Sequence, residues 1–430
     1  MLRLLLLFSS LACISSAVAV ELENIRVDTL FSYQYDTSSN ESLALLGIIQ
    51  PEWDLQLTEQ LSARLSGRLI LEQQDRLDPG EPNLNNYDGA TRPHIINERA
   101  SIEALDVYLE LALPDGLLRL GKQQIVWGEL DGLKVLDALN PQSFEEFILA
   151  DFDVSRISLW SAYLDYSVAG WRIEAALSAD TTTHYLPPED AFYALTAPRY
   201  RLGLSGPSPL PQTYSGSEDN RGTAGLRISR YVGGFDVQLV ALSADDFEPL
   251  GRFAQTPAGP VIEIYHERRE LYGLAAAGSV GKFAFRGEIS FTPDKWFNTN
   301  TGTDLDVLQL DQWRGAIGID YAAPWDIFVN VQYLRDEVQN APDELVRPQV
   351  DEIVTVFVRK QFLYETLTAE VRYYTSLRYD DALTRGRVSY ALSDHATVSL
   401  VYDGFSGNEL GPFGQFAERD RVGMTLEYTF

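Results

Sequence analysis

The chain has very little cysteine, methionine, lysine or histidine. Its 430 residues hold one cysteine, Cys13, and two methionines. A single cysteine excludes an intramolecular disulfide and a thiolate metal cluster. The four histidines, His94, His184, His266 and His395, are far apart in sequence, and none stands in an H-E-x-x-H spacing. Dinucleotide, phosphate-loop and calcium-loop motifs are missing, and "GLSGPS" around Ser205 lacks the G-x-S-x-G elbow. His266 is the least implausible base for a triad assembled across strands. These gaps lead us to expect no cofactor, no metal and no catalytic residues. After the first twenty residues no apolar run reaches eighteen, which excludes helical membrane spans. A formal net charge of -28 argues against nucleic acid as a partner.

The first apolar run reads as an address. "MLRLLLLFSSLACISSAVAV" carries one base, Arg3, then an apolar stretch, then Ala17, Val18 and Ala19 in signal-peptidase spacing. Residues 1–19 are therefore expected to be a secretory signal. Its removal takes Cys13 with it and leaves residues 20–430 as the mature chain.

The remainder alternates with a period of two. "NIRVDTLFSYQY" puts Ile25, Val27, Thr29, Phe31, Tyr33 and Tyr35 on one face, and "QLSARLSGRLILE" sets leucines against Arg64 and Arg68. The same beat returns in "KFAFRGEISF", "WRGAIGIDY", "TLTAEVRYY" and "RDRVGMTLEYTF". Such strands have one apolar and one polar face. Tight links near residues 57–60, 113–116, 168–170, 232–234, 279–282, 323–326, 361–365 and 393–396 take turns with longer polar segments. The longer ones fall at 74–101, 181–221, 245–260, 293–307 and 337–349. This is the pattern of a transmembrane antiparallel up-and-down β-barrel, all-β, with about 18 strands, 16 also fitting. In hydrocarbon every backbone amide must be paired, so the sheet has to close and the last strand must meet the first. The ending "MTLEYTF" fits that seam. Its apolar face, Met424, Leu426, Tyr428 and Phe430, is similar to the C-terminal signal of outer-membrane barrels read by the barrel-assembly machinery. The implied location is a Gram-negative outer membrane, with lipid and lipopolysaccharide as neighbours.

Base and acid are distributed differently. Five of the 34 basic residues are lysine, so arginine dominates, and it recurs on the polar faces of strands. Arg64, Arg68, Arg119, Arg227, Arg286, Arg314, Arg359, Arg372, Arg385, Arg387 and Arg421 are expected to point into the lumen. There a guanidinium wall would bias selectivity. The competing reading is that these arginines pair with luminal carboxylates such as Glu110, Glu288 and Asp320 and only solvate the wall.

Residues 121–160 are too apolar for a solvated loop. Leu133, Leu136 and Leu139 follow helical spacing until Asn140 and Pro141, and Ser143 with Glu146 has the form of a capping box. Residues 128–155 are expected to fold inward as a constriction. That would carry Glu129, Asp131, Asp137, Glu145, Glu146, Asp151 and Asp153, with Lys134 the exception, towards the arginine wall. The alternative is a helical cap over the mouth.

"LGKQQIVWGELDGLKVLDALNPQSF" resembles a motif of a bacterial, porin-like outer-membrane family catalogued mainly as a domain of unknown function. The matching residues are Gly121, Lys122, Gln123, Trp127, Gly128, Asp137, Asn140 and Pro141. The resemblance implies an outer-membrane barrel and names no substrate. Two functions follow as expectations. One is a channel for small hydrophilic solutes, anions included. The other is a gated carrier or export component for a hydrophobic molecule, working with a periplasmic partner. An outer-membrane enzyme is the least favoured.

Overall fold

The structure is a computed structural model describing residues 21–80, 82–217, 221–302 and 304–430; the side chains of Glu21 and Asp153 lie outside the described set, as does the expected signal peptide. Eighteen antiparallel strands form one closed ring. They are Glu21–Asp36, Glu41–Gln56, Leu61–Glu72, Ala100–Leu113, Gly116–Gln123, Leu159–Val168, Trp171–Ser178, Thr223–Val232 and Phe235–Asp245. The second half runs Arg268–Val280, Phe283–Asn300, Leu305–Ala323, Ile327–Val338, Val350–Phe362, Leu367–Ser376, Asp381–Ser393, Ala396–Ser406 and Arg421–Thr429. Each pairs with its sequence neighbour, and the seam joins Asp28–Asp36 to Arg421–Thr429 in register. No sheet edge is left in the ring, as hydrocarbon demands.

The burial pattern is inverted relative to a water-soluble protein. Phe31, Leu109, Leu226, Leu239, Ile317 and Leu400 are exposed, whereas Ser32, Gln34, Arg68, Glu174, Gln238 and Asp403 on the same strands or their neighbours are buried. Period two converts that contrast into a greasy outer wall and a polar inner one. Met424, Leu426, Tyr428 and Phe430 all lie on the outer wall, with the Tyr428 and Phe430 rings 4.5 Å apart at the tight-turn end.

All eight tight links occur where the alternation breaks. The long segments differ more from expectation. Residues 293–307 are chiefly a continuation of the strands Phe283–Asn300 and Leu305–Ala323, which pair almost to their tip. Phe297, Val338 and Leu345 bury themselves there, so the hairpin continues past the ring on its own apolar contacts. Outer segments also supply a small separate sheet from Gln212–Ser217, Leu250–Thr256 and Gly259–His266.

Candidate functional site

Residues 124–158 leave the strand Gly116–Gln123 and return to Leu159–Val168 after crossing the space inside the ring. Their base is clamped by Asn140. Its Oδ1 accepts the Ile125 amide at 2.8 Å and its Nδ2 donates to the Ile157 carbonyl at 2.8 Å, tying the two arms together. Pro141 adds its carbonyl to the Ile157 amide at 2.9 Å. Asp137 accepts from Lys134 at 2.9 Å and Arg156 at 2.7 Å. Trp127 is 1 % exposed. The Trp-Gly to Asn-Pro motif is thus a local code for holding this segment in one shape.

The shape is not a helix. Leu133, Leu136 and Leu139 are buried, but between residues 129 and 150 the backbone is irregular. Glu288 explains part of this: its carboxylate accepts the amides of Glu129 and Leu136, the latter at 2.9 Å, in place of the carbonyls a helix would offer. The leucine spacing reflects packing on one wall. Nor does the capping box form. Ser143 donates its amide to the Ser155 carbonyl at 2.7 Å, while the Glu146 carboxylate accepts from Arg421 at 2.5 Å. A charge-assisted bond in a buried setting outweighs the cap, worth about 1 kcal/mol. The described residues hold one short helical turn here, Phe152–Ser155.

Side chains from nearly every part of the ring touch the segment. Arg68 donates to the Val154 carbonyl at 2.9 Å, Arg227 to the Trp127 carbonyl at 3.4 Å, and Gln238 to Glu129 at 2.5 Å. Arg286 lies 3.5 Å from Asp131, and Gln332 donates to the Asp131 carbonyl at 2.5 Å. Arg385 donates to the carbonyls of Ile148 and Leu149 at 3.3 and 2.7 Å. Arg387 is 3.7 Å from Asp151.

One wall is apolar on its inner face. Trp127, Leu133, Val135, Leu136 and Leu139 pack against Ala176, Val240, Leu242, Ala275, Ala316 and Leu334. Two glycines make room: a Cβ on Gly225 would sit 2.7 Å from Trp127 Cη2, and one on Gly273 would overlap Leu136 Cδ2. The opposite end of the segment seats Phe147 and Leu149 among Leu43, Tyr193, Leu383, Phe405, Phe413 and Phe416.

The arginines fall into groups that sequence alone did not separate. Arg64 pairs with Glu52, and Arg119 pairs with Glu110 at 2.6 Å, inside the wall and away from the segment. Arg227 is engaged by Glu174 at 2.5 and 2.7 Å, Arg286 by Asp320 at 2.7 Å, and Arg314 by Asp336 at 3.3 Å. Arg385 and Arg421 share Asp403, each Nε at 2.7 Å, so a fully buried carboxylate sets both forks towards the segment. Arg359 and Arg372 lie over the rings of Phe328 and Phe357 at 5.3 and 4.6 Å. Asp403, Glu174 and Gln332 escaped the sequence reading; their only signal is a polar residue on an inward position. Glu288 was expected to pair with arginine and instead binds the segment's amides.

The acids also divide. Asp131, Glu146 and Asp151 reach arginines, as the sequence suggests. Glu129 meets Gln238 instead, and Asp137 is held by Lys134 and Arg156 of its own segment. Glu145 departs furthest. It is half-buried, and its main electrostatic neighbours are Asp78, Glu146, Glu72 and Glu103, so desolvation and like charge push its carboxyl well above the usual range. A raised carboxyl stabilises the seated segment most at low pH, and that contribution is lost as pH rises through its own value. We expect conductance to be smaller at pH 5 than at pH 9, and Glu145→Gln to flatten the dependence in planar-bilayer recordings. His184 supplies no competing transition: burial among Phe144 and Phe247 lowers its imidazole to about 3. His184 and His266, distant in sequence, line one cavity among the outer segments.

A closed ring of this size with a crossing segment defines a porin-like outer-membrane barrel. The chain belongs to the family described as "Protein of unknown function (DUF1302)", whose model matches residues 49–315. No curated protein sequence matches it. Among solved structures it is similar to OccAB1 of Acinetobacter baumannii, at 8% identity and a TM-score of 0.53, covering 94% of this chain and 95% of that one. OccK5 (OpdH) of Pseudomonas aeruginosa gives 9% identity and a TM-score of 0.52, covering 94% and 97%. At such identities the likeness concerns the fold.

Proposed function

We propose that the protein is a selective outer-membrane channel for small hydrophilic solutes, anions included, in which residues 128–155 narrow the passage. The observation that carries this reading is the ring of contacts onto the crossing segment, from Arg68 and Arg227 through Arg286 to Arg385 and Arg421. A cap over the mouth would have no use for carbonyl-directed arginines on the inner wall. In this reading Arg68, Arg227, Arg286, Arg385 and Arg421 are fasteners, while Arg359, Arg372 and Arg387 face the solute. Conduit chemistry, not catalysis, is what such a wall supports.

Single-channel recording tests it. A small, steady, salt-dependent conductance is expected, and Arg387→Ala should shift the reversal potential towards cations. A silent barrel would favour the gated carrier with a periplasmic partner, to which the apolar inner wall lends some support.

A further inference from the structure

On the outer side of the crossing segment lies a chamber of about 430 Å³, within the range that encloses a small organic ligand. Its floor comes from the segment itself and is mostly apolar: Leu133, Val135, Phe144, Phe147 and Ile148. Strands and outer segments add Arg199, Arg269, Arg314 and Arg347. A second cavity of about 310 Å³ among the outer segments shares Leu186, Leu195, Tyr200 and Leu202 with it, so an approach from outside leads through apolar side chains.

The charged part of the lining is unevenly satisfied. Arg314 and Arg347 share Asp336, at 3.3 and 3.0 Å, and both also lie in the field of a second lining carboxylate, Glu248. Two guanidinium forks offer ten N–H groups between them, more than these two carboxylates can accept. The Nε atoms of Arg269 and Arg347 have no acceptor among the described residues. The carboxylates are better served: Asp351 is held by Arg199 at 2.5 Å and Asp246 by Lys295 at 2.8 Å. Oδ1 of Asp137 and Oδ1 of Asp351 are the lining oxygens left over. Two guanidinium N–H groups are thus left without an acceptor beside a large apolar surface.

We propose that this chamber binds an amphipathic solute with an apolar body and one anionic, carboxylate-like head, the head taken by Arg314 and Arg347 and the body by Leu133, Phe144 and Phe147. The proposal rests on the channel reading and names its substrate class. A bound body would lie on the segment that blocks its path, so occupancy and passage are coupled at one surface.

Calorimetric titration of the full-length barrel in lipid nanodiscs, against empty nanodiscs, tests this with 4-phenylbutyrate, 4-phenylbutanol and acetate. The aromatic acid should bind about tenfold more tightly than the alcohol, since a charge-assisted bond is lost in the latter. Acetate should give no measurable heat. Arg347→Gln and Arg314→Gln should each weaken the acid about tenfold and leave the alcohol unchanged. If Arg347→Gln fails to show the compact mobility of a folded barrel on unheated gels, Arg314→Gln decides alone. Equal binding of acid and alcohol, or no binding of either, overturns the chamber. Bilayer recordings on the same preparation keep the two readings apart. A conducting barrel that ignores the acid loses only the ligand site, and a silent barrel that binds it keeps the site and loses the channel.

Discussion

Replacing residues 129–155 by a short Gly-Ser link should leave a folded barrel whose conductance is roughly threefold or more above that of the intact protein. An eighteen-stranded ring encloses an aqueous channel unless something occupies it, and the large group poised to occupy this one is the crossing segment. The ring itself does not depend on the segment for closure, because the strand pairing, including the seam between Asp28–Asp36 and Arg421–Thr429, lies outside it. Arg227, Arg286, Arg385 and Arg421 would retain Glu174, Asp320 and Asp403 as partners, and Arg156 and Glu288, which lose Asp137 and the segment's amides, would meet the water that fills the vacated lumen. Compact gel mobility should therefore survive while current rises. An unaltered conductance in a folded deletion protein would show that the segment does not limit flow, and would return the cap to favour.

How much of this was readable in the sequence follows from the range of each signal. Strand alternation is local, and a one-residue slip would turn Arg68 and Ser66 towards lipid, so the period alone assigns faces across most of the ring. Tight turns are local too, and all eight stand where the beat is interrupted. That residues 128–155 would need an apolar partner was legible because Leu133, Leu136, Leu139, Phe144 and Phe147 are too apolar for water. Their conformation was not legible. It depends on Glu288, some 150 positions away in the chain, whose carboxylate takes amides that would otherwise seek a helix. The division of the arginines was out of reach for the same reason. Arg385 and Arg387 are two residues apart on one face, yet Asp403 and two segment carbonyls engage the first while the second lies 3.7 Å from Asp151. Glu145 misled the reading because charge pattern predicts attraction to a wall of arginine, whereas the packed segment delivers it among carboxylates. The inner glycines were a signal passed over. A glycine inside a strand weakens it and marks a close approach by something else.

Those glycines allow the segment to be dislodged without touching it. Gly225→Val combined with Gly273→Val should raise conductance nearly as much as the deletion does. Each substitution suits a strand by propensity, so the ring should tolerate it. Inside the ring, however, a Cβ at 225 meets Trp127 and one at 273 meets Leu136, both about 1 % exposed and without slack. Overpacking of this kind costs about 1–3 kcal/mol per site, and the cheaper response is for the segment to leave the wall, since its partners there are side chains and not a backbone ladder. Once Trp127 lifts, the hydrogen bond from Arg227 to its carbonyl goes, and with Leu136 displaced so does the amide bond to Glu288. Loss at these anchors is therefore cooperative. As a control, Gly386→Val on a strand of the opposite wall has open space at its Cβ and should leave the current unchanged. A folded double variant with native conductance would mean that the apolar wall is not what seats the segment, and the weight would pass to the arginines Arg385 and Arg421 on the far side.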